Sequence, residues 1–385
     1  FTMAGGATRI RTGSQDIVQP TPGASVRLTI DRDVQWIAQR AIADRVKYAR
    51  ADFGMVTVLD TTNGHIVAMA VAPSFNPNDV RKTDPALLGN RAVSNVFEPG
   101  STQKVLTMAA VLEEGAATPT DKFVIPPTLR WKGVKTFHDH KPHGTLHLTL
   151  TGILAQSSNI GTIKAATRIG PEKLYEYLQK FGFGSRIGSG LAGESAGILP
   201  NIDGWSATSF PTIAFGQGVS VTQLQAAQVY QTIANDGVRI TPTVIAGTVD
   251  PNGDFQPAPT QPQTRVVSAN TAKLVREMME SVVSEEGTAP GAAIPGYRVA
   301  GKTGTANRRD DECHCYRGYV SSFIGLAPAD KPRFVVAVVL DNPRNGHYGG
   351  VLGGPVFKEV MTFALQKYRV PPSGSTRPVI PTTWK

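Results

Sequence analysis

Four consecutive residues, Ser101 to Lys104, place a hydroxyl and an amine three positions apart in the pattern Ser-x-x-Lys. Pro99 and Gly100 interrupt regular structure before them, and an apolar series with roughly helical spacing follows. We therefore expect Ser101 at or near a helix N-terminus, which favours negative charge, with Lys104 on the same helix face. This arrangement suits a serine nucleophile. On these residues alone, an N-capping serine beside a solvated lysine is the favoured interpretation.

Two further motifs supply possible partners for that serine. Lys302-Thr303-Gly304-Thr305 holds the only Lys-Thr-Gly of the chain and continues a strand pattern, in which the glycine lets a backbone or a ligand approach closely. Ser-x-Asn occurs at 74–76, 157–159 and 268–270, and only Ser157-Ser158-Asn159 falls clearly inside the predicted helical block. Each motif is weak by itself, but the three in this order indicate one shared site.

The elements that must position these motifs are strands at both ends of the chain and helices between them. Asn63-Gly64 predicts a hairpin, and β-rich runs predict strands at 25–30, 55–60, 65–71, 297–305, 319–326 and 334–340. Apolar periodicity predicts helices at 31–50, 101–114, 148–155, 159–168, 171–181, 222–235, 270–283 and 355–368. The pattern predicts an α+β fold with one antiparallel sheet closed by both ends of the chain.

Length and composition are those of a globular protein with a surplus of basic residues. The 385 residues include 39 Lys and Arg against 30 Asp and Glu, which gives a formal net charge of +9. This charge suits a polyanionic neighbour such as a cell-wall polymer or anionic lipid, whereas no basic, aromatic-interleaved motif supports nucleic-acid binding. No apolar run reaches the ~18 residues of a membrane-spanning helix. Because the chain opens at Phe1, we expect a fragment that an N-terminal signal or membrane anchor precedes in the full-length protein.

Two clusters outside the three motifs contain residues that can bind metals. Cys313 and Cys315 are too close for an easy disulfide and too few for a closed zinc site, so we interpret them as a loop feature or a strained local disulfide. Four histidines precede the helix predicted at 148, and we interpret them as a polar surface loop near the cleft; they are His138, His140, His143 and His147. We expect neither a metal nor a cofactor.

Together, the three motifs resemble those of penicillin-binding proteins and class A β-lactamases. The segments that further resemble class B penicillin-binding proteins are 26–31, 73–78, 97–101, 216–218 and 235–237. The loop at 313–316 and the segment at 340–343 resemble the septal, cell-division type of actinobacteria, and the resemblance covers roughly residues 25–370. It implies a central five-stranded antiparallel sheet flanked by helices, plus a mostly helical subdomain.

The resemblance implies a peptidoglycan D,D-transpeptidase that acts through an acyl-enzyme. Ser101 would attack a stem peptide ending in D-Ala-D-Ala, and an amine of a neighbouring stem would then take the acyl group. β-Lactams would acylate the same serine. Lys104 would accept the Ser101 proton if burial lowers its pKa, although which group is the acylation base stays open. Ser157 would relay a proton to the leaving amine, and Asn159 would hydrogen-bond Lys104 and the substrate amide.

The Lys-Thr-Gly strand would bind the other end of the substrate. Lys302 would keep the site electropositive, and the substrate-binding residues would be Thr303, Gly304 and Thr305. The backbone N–H groups of Ser101 and Thr305 would form the oxyanion hole.

The same resemblance predicts the domain organisation and a cellular setting. Residues 1–50 would be a linker or a remnant of the non-catalytic pedestal domain, and 51–370 the transpeptidase domain. The Pro-, Ser- and Thr-rich composition of residues 371–385 predicts a mobile tail. The protein would act at the extracytoplasmic face of the membrane on a single N-terminal anchor. Its partners would be peptidoglycan stem peptides, β-lactams and division-complex proteins that include a glycosyltransferase.

Three other functions use the same motifs. A β-lactamase needs a base that drives water onto the acyl-enzyme, and the candidate Glu194 lacks the asparagine four residues later, where Ile198 stands. A D,D-carboxypeptidase and a β-lactam sensor or scaffold stay open. The sequence also leaves open the acceptor amine, β-lactam tolerance, and a role in division, sporulation or elongation.

Overall fold

A computed structural model describes residues 3–4, 8–9, 23–310 and 313–385. Its α-helices are α1 (Arg32–Ala49), α2 (Arg91–Ser94), α3 (Lys104–Glu113), α4 (Leu150–Gln156), α5 (Asn159–Thr167), α6 (Gly170–Lys180), α7 (Ser209–Ala214), α8 (Gln223–Ala234), α9 (Ala269–Glu280) and α10 (Gly349–Lys367). Short 3₁₀ turns lie at Val80–Lys82, Pro85–Leu87, Gly100–Gln103, Ile202–Gly204 and Pro290–Ala292. The strands are β1 (Met3–Ala4), β2 (Thr8–Arg9), β3 (Ser25–Leu28), β4 (Phe53–Asp60), β5 (Ile66–Ala72), β6 (Lys122–Ile125), β7 (Leu129–Trp131), β8 (Lys135–Phe137), β9 (Leu146–Thr149), β10 (Val238–Ile240), β11 (Ile245–Val249), β12 (Phe255–Pro257), β13 (Gln263–Arg265), β14 (Ala300–Asp310), β15 (Cys315–Ala327) and β16 (Phe334–Asp341).

The central sheet has five antiparallel strands in the order β14-β15-β16-β4-β5. All eight residues of β16 are buried, because helices cover the sheet and its middle strand is apolar from Phe334 to Leu340. Helices α1 and α10 pack on each other and on this sheet, and α8 packs on β4 and β16. The predicted α+β fold and its five-stranded sheet are confirmed.

The segment between β5 and β14 is mostly helical, as predicted, but it also contains short strands that the sequence patterns missed. Helix α3 is buried from Lys104 to Leu112, so other helices surround it on every side. Strands β6 and β9 form one two-stranded sheet, and β7 and β8 form another. Runs of three or four residues are too short for a period-two pattern to be recognised.

Two compact units are distinguished by their internal contacts. The first comprises Phe1–Leu28 and Ile245–Pro259, and its described strands β3, β11 and β12 form an antiparallel sheet with β11 in the middle. The second comprises Thr29–Val244 and Thr260–Lys385 and contains every residue of the three motifs. Helix α1 also belongs to it, while the predicted division at residue 50 stays a prediction.

The C-terminal end of the chain differs from the sequence prediction in two ways. Helix α10 begins at Gly349, six residues before the predicted start. The prediction was late because four glycines give the first turns of this helix a low helix propensity. The expectation of a mobile tail at 371–385 is corrected, since this segment is held by specific bonds. Ser373 and Ser375 donate hydrogen bonds to Asp330, and the Trp384 indole donates to the Leu148 carbonyl at 3.1 Å.

Candidate active site

The Ser-x-x-Lys motif forms a tight turn that leads directly into α3. Ser101 lies in the 3₁₀ turn Gly100–Gln103, and neither Pro99 nor Gln103, the two N-cap residues, makes a side-chain capping bond. Ser101 is therefore not the helix N-cap that the four residues alone favoured. Its side chain is only partly buried at the start of an otherwise buried helix.

A glycine-rich segment holds this turn from one side. The Gly100 N–H donates to the Gly216 carbonyl at 2.8 Å, and Phe97 pairs with Val221. A Cβ on Gly216 would lie 2.0 Å from the Gly100 carbonyl oxygen, and its φ of +93° favours glycine. The buried Gln103 side chain donates to the Ile213 carbonyl. The position of the Ser101 turn is thus fixed by the end of α7 and the segment after it.

The Ser-x-Asn motif joins α4 to α5. Ser157 ends α4 in the left-handed conformation, with a φ of 61°, and Ser158 caps α5 by accepting the Gly161 N–H. Asp139 anchors the junction, because its carboxylate accepts the Ile160 N–H at 2.9 Å and the Ser158 hydroxyl at 2.6 Å. The loop with the histidines therefore supports this motif.

The Lys104 amine contacts the Ser-x-Asn motif directly. Its Nζ donates to the Ser157 carbonyl at 2.6 Å and to Asn159 Oδ1 at 2.7 Å, and lies 3.4 Å from Ser157 Oγ. Lys104 is completely buried. Burial lowers the pKa of Lys104 to about 7, and the charge of Asp139 opposes this shift. A lysine near that pKa is neutral in a large fraction of molecules at pH 7 and can accept a proton.

Lys302, in the third motif, brings a second buried amine to Ser157. Lys302 Nζ donates to Ser157 Oγ at 2.9 Å and lies 3.3 Å from Thr303 Oγ1. Burial lowers the pKa of Lys302 well below its usual value, and the nearby charge of Lys104 lowers it further. Ser157 Oγ thus lies between two amines, which suits a hydroxyl that passes protons.

The Lys-Thr-Gly strand also packs on the turn Gly100–Gln103 that contains Ser101. A Cβ on Gly304 would lie 3.0 Å from Thr102 Cγ2 and 3.2 Å from the Pro99 carbonyl oxygen. The glycine therefore permits the close approach that its position in the strand predicted. Thr303 shares a hydrogen bond of 2.9 Å with Thr288, and Thr305 Oγ1 accepts the Gly349 N–H at 3.3 Å, at the start of α10.

Of the predicted site residues, Lys104, Ser157, Asn159 and Lys302 are joined by hydrogen bonds, and Gly304 contacts the turn of Ser101. Two supporting residues were missed. No local pattern in the sequence marks Asp139 as an anchor for α5. Glu98 was noted only within the family segment, yet its Oε1 accepts the Gly218 N–H at 2.9 Å. In the sequence, the closely spaced glycines Gly216 and Gly218 were the signal that could have indicated a backbone partner for Glu98.

The histidine and cysteine clusters have other partners. His143 contacts Asp139 at 3.1 Å, His140 lies 3.3 Å from the Tyr348 hydroxyl, and His147 stacks on Trp384. Within 23–310 and 313–385, no group of three or more His, Cys, Asp or Glu residues is arranged to hold a metal ion. Cys313 and Cys315 form a disulfide with an S–S distance of 2.05 Å.

Glu194, the candidate base of a β-lactamase, serves a structural role. Its carboxylate accepts the Gly188 N–H at 2.8 Å, the Ser189 N–H at 2.7 Å and the Ser189 hydroxyl. These bonds close a local loop. Both carboxylate oxygens are already engaged by donors, which disfavours activation of water by this group.

Comparison with known proteins identifies the family. The model of the penicillin-binding protein transpeptidase domain matches residues 54–362. This chain belongs to that family. The penicillin-binding protein PbpB of Mycobacterium tuberculosis is 41% identical over 367 residues, and the match covers 92% of this chain and 54% of PbpB. The probable peptidoglycan D,D-transpeptidase PenA of Neisseria flavescens is 37% identical, with coverage of 92% of this chain and 85% of PenA.

A solved penicillin-binding protein has the same fold. The crystal structure of penicillin-binding protein 3 from Mycobacterium tuberculosis, complexed with aztreonam, matches with a TM-score of 0.90 and 39% identity, covering 96% of this chain and 84% of that one. The resemblance to septal class B penicillin-binding proteins is confirmed. The chain spans about half the length of the PbpB proteins it matches. In the described part of this penicillin-binding protein, no helix is long and apolar enough to cross a membrane.

Proposed function

We propose that this penicillin-binding protein is a serine D,D-transpeptidase that cross-links peptidoglycan stem peptides during cell-wall synthesis, at the division septum. The observation that carries the proposal is the buried Lys104 amine, with a pKa of about 7, bonded to Ser157 and Asn159 next to the turn of Ser101. Its family relatives include probable peptidoglycan D,D-transpeptidases, which supports the same reaction.

Acylation follows from the proposed roles of these groups. Ser101 Oγ attacks the carbonyl between the two terminal D-Ala residues, and neutral Lys104 takes the hydroxyl proton. The backbone N–H groups of Ser101 and Thr305 stabilise the oxyanion. When the peptide bond breaks, Ser157 passes a proton to the departing D-Ala amine. Asn159 holds Lys104 and the substrate amide in place.

The Lys-Thr-Gly strand orients the substrate end. Lys302 supplies positive charge, and the hydroxyls of Thr303 and Thr305, on either side of Gly304, bind the terminal carboxylate. An amine of a second stem peptide then attacks the ester, and Ser101 recovers its proton as the new amide forms. A β-lactam amide would be opened by the same attack, as the aztreonam complex of the related protein suggests.

Mass spectrometry after incubation with a labelled penicillin tests this proposal. We expect one adduct per chain, located on Ser101 and absent in Ser101→Ala. Thr102→Ser, which keeps the hydroxyl of the residue next to Ser101 within the motif, serves as the control for general disturbance of the turn. An adduct at another residue, or its persistence in Ser101→Ala, would contradict the assignment of the nucleophile.

The fate of the acyl group separates transpeptidation from related activities. We expect release of D-Ala from a donor stem peptide and formation of a cross-linked dimer when an acceptor stem is present. Release of D-Ala with water as the acceptor alone would indicate a D,D-carboxypeptidase, and adduct formation without either product would indicate a sensor. Rapid turnover of a chromogenic cephalosporin, instead of one stoichiometric burst, would indicate a β-lactamase.

The proposed cellular setting is the extracytoplasmic face of the membrane, with a single N-terminal anchor in the full-length protein. The proposed partners are division-complex proteins that include a glycosyltransferase. The surplus of positive charge, +9, supports a setting beside anionic cell-wall polymer or lipid. Protease digestion of intact spheroplasts that carry the full-length protein tests the topology, because an extracytoplasmic domain would be degraded without lysis.

A further inference from the structure

Strands β14 and β15 continue past the central sheet as a two-stranded hairpin arm, formed by residues 306–310 and 315–318. The last pair that β15 makes with β16 joins Val320 to Asp341, whereas pairing with β14 runs on to Cys315 and Asp310. A ribbon of two strands is marginally stable without further contacts. The position of this arm therefore depends on bonds to its surroundings.

Bonds within the arm and bonds that leave it hold it in place. The disulfide between Cys313 and Cys315 closes its end, and Arg317 Nε donates to Asp310 Oδ2 at 2.7 Å across its two strands. Arg308 Nε, on the arm, donates to Asp341 Oδ2 of the central sheet at 2.9 Å. A different bond reaches the segment that precedes Ser101, because the Tyr316 hydroxyl donates to Glu98 Oε1 at 2.9 Å.

Glu98 belongs to the segment that carries the nucleophile. It lies three residues before Ser101, and the same Oε1 atom accepts the Gly218 N–H at 2.9 Å, which fixes its side chain. The Tyr316–Glu98 bond thus ties the Lys-Thr-Gly strand and its arm to the turn of Ser101.

This tie complements the packing between the same two segments. Gly304 contacts Thr102, and a Cβ on Gly100 would lie 3.0 Å from the Cβ of Ala306. Contacts of this kind set the closest approach of the two segments, and each of them resists separation only weakly. The directional Tyr316–Glu98 hydrogen bond resists separation more strongly. The packing contacts and this hydrogen bond together define one distance between the strand and the turn.

That distance matters because the proposed oxyanion hole has one donor on each segment. The Ser101 N–H belongs to the turn and the Thr305 N–H to β14. We infer that Tyr316 and Glu98 are positioning residues that hold these two donors at the separation the oxyanion requires. The inference rests on the proposed function, in which Ser101 forms an acyl-enzyme.

The test compares Tyr316→Phe with the wild type in acylation by a penicillin. Tyr316 is 60% exposed, so the variant is expected to fold normally. We expect the acylation rate constant to fall roughly tenfold, with unchanged non-covalent affinity, because misplacing an oxyanion donor acts on the transition state. We also expect the ester carbonyl stretch of the acyl-enzyme to move to higher frequency in infrared difference spectra, since weaker hydrogen bonds polarise the carbonyl less.

Two controls make the result decisive. Tyr48→Phe removes a hydroxyl from an equally exposed tyrosine on α1 and should leave both readouts unchanged. In a Glu98→Ala background, Tyr316→Phe should have no further effect, because the bond is already lost. The inference would be overturned if Tyr316→Phe were acylated at the wild-type rate. It would also be overturned if the variant were acylated more slowly but its carbonyl frequency were unchanged. Failure of the wild type to form a Ser101 adduct would instead overturn the proposed function itself.

Discussion

At the scale of single residues, the site depends on two buried amines whose pKa values burial lowers. Lys104 and Lys302 are both completely buried, and both contact Ser157 Oγ. Two full positive charges at this spacing, away from water, would repel each other strongly. The depressed pKa of each is therefore a consequence of the packing that brings them together. It also makes a lysine usable as a base near neutral pH.

The lowered pKa of Lys104 predicts how the acylation rate constant depends on pH. The pKa of Lys104 lies at about 7, below its usual 10.5, so the amine is protonated below pH 7 and neutral above it. If neutral Lys104 accepts the Ser101 proton, the acylation rate constant should rise with pH around a midpoint near 7. Stopped-flow acylation by a chromogenic β-lactam from pH 5.5 to 9 measures this. A flat profile across that range would contradict the role of Lys104.

Asp139→Asn tests the origin of that midpoint. The carboxylate of Asp139 raises the pKa of Lys104 against the effect of burial. Asparagine removes the charge but keeps an oxygen that can accept the Ile160 N–H, so α5 should remain capped. We expect the acylation midpoint to move to lower pH. Asp121→Asn, which changes a carboxylate that pairs with Arg168, is the matched control.

At the scale of elements, the C-terminal segment supports the helix that delivers Ser157. Thr149, the N-cap of α4, donates from its N–H to the Thr382 carbonyl and from its hydroxyl to the Pro381 carbonyl at 2.6 Å. A Cβ on Gly152 would lie 1.8 Å from the Thr382 carbonyl oxygen. The segment therefore lies directly on the first turn of α4, and the last turn of that helix leads to Ser157.

Ending the chain after Val379 should consequently affect both stability and activity. Loss of the Trp384 contacts and of the bonds to Thr149 should lower the free energy of unfolding by about 2 kcal/mol. We also expect slower acylation, because α4 loses the contacts that fix its start. Thermal denaturation and penicillin acylation measure the two effects. Removal of Lys385 alone is the control, and equal behaviour of both truncations would refute the supporting role.

Element boundaries show where the sequence was informative. Strands β4, β5 and β16 were predicted within two residues because each is rich in valine and other apolar residues. Helix α10 was placed too late, since Gly349 and Gly353 weaken its helical pattern. Those glycines serve packing, because a Cβ on Gly349 would lie 2.1 Å from the Ser322 carbonyl oxygen. Tertiary contact outweighed local propensity there.

At the scale of the whole molecule, the motifs predicted one shared site and the pattern of strands and helices predicted the α+β class, whereas the neighbours of each motif came only from the fold. The order Ser-x-x-Lys, Ser-x-Asn, Lys-Thr-Gly predicted one site, and its amines do meet at Ser157. The support by Asp139 and Glu98 could not be read from the sequence, because their partners lie in segments without a local pattern. The C-terminal segment was misjudged because its Pro- and Ser-rich composition resembles that of unstructured chain.

The pairing of β16 with β4 has a consequence for how the chain folds. In this register Thr57, near the beginning, lies beside Ala337, near the end, so the central sheet cannot form until almost the whole chain is available. Contacts between such distant segments close slowly, whereas α4, α5 and α6 contact near neighbours and can form early. A chain that stops before Phe334 would leave the apolar strands β4 and β15 without their shared partner. Incomplete chains should therefore aggregate until β16 becomes available to pair with both strands.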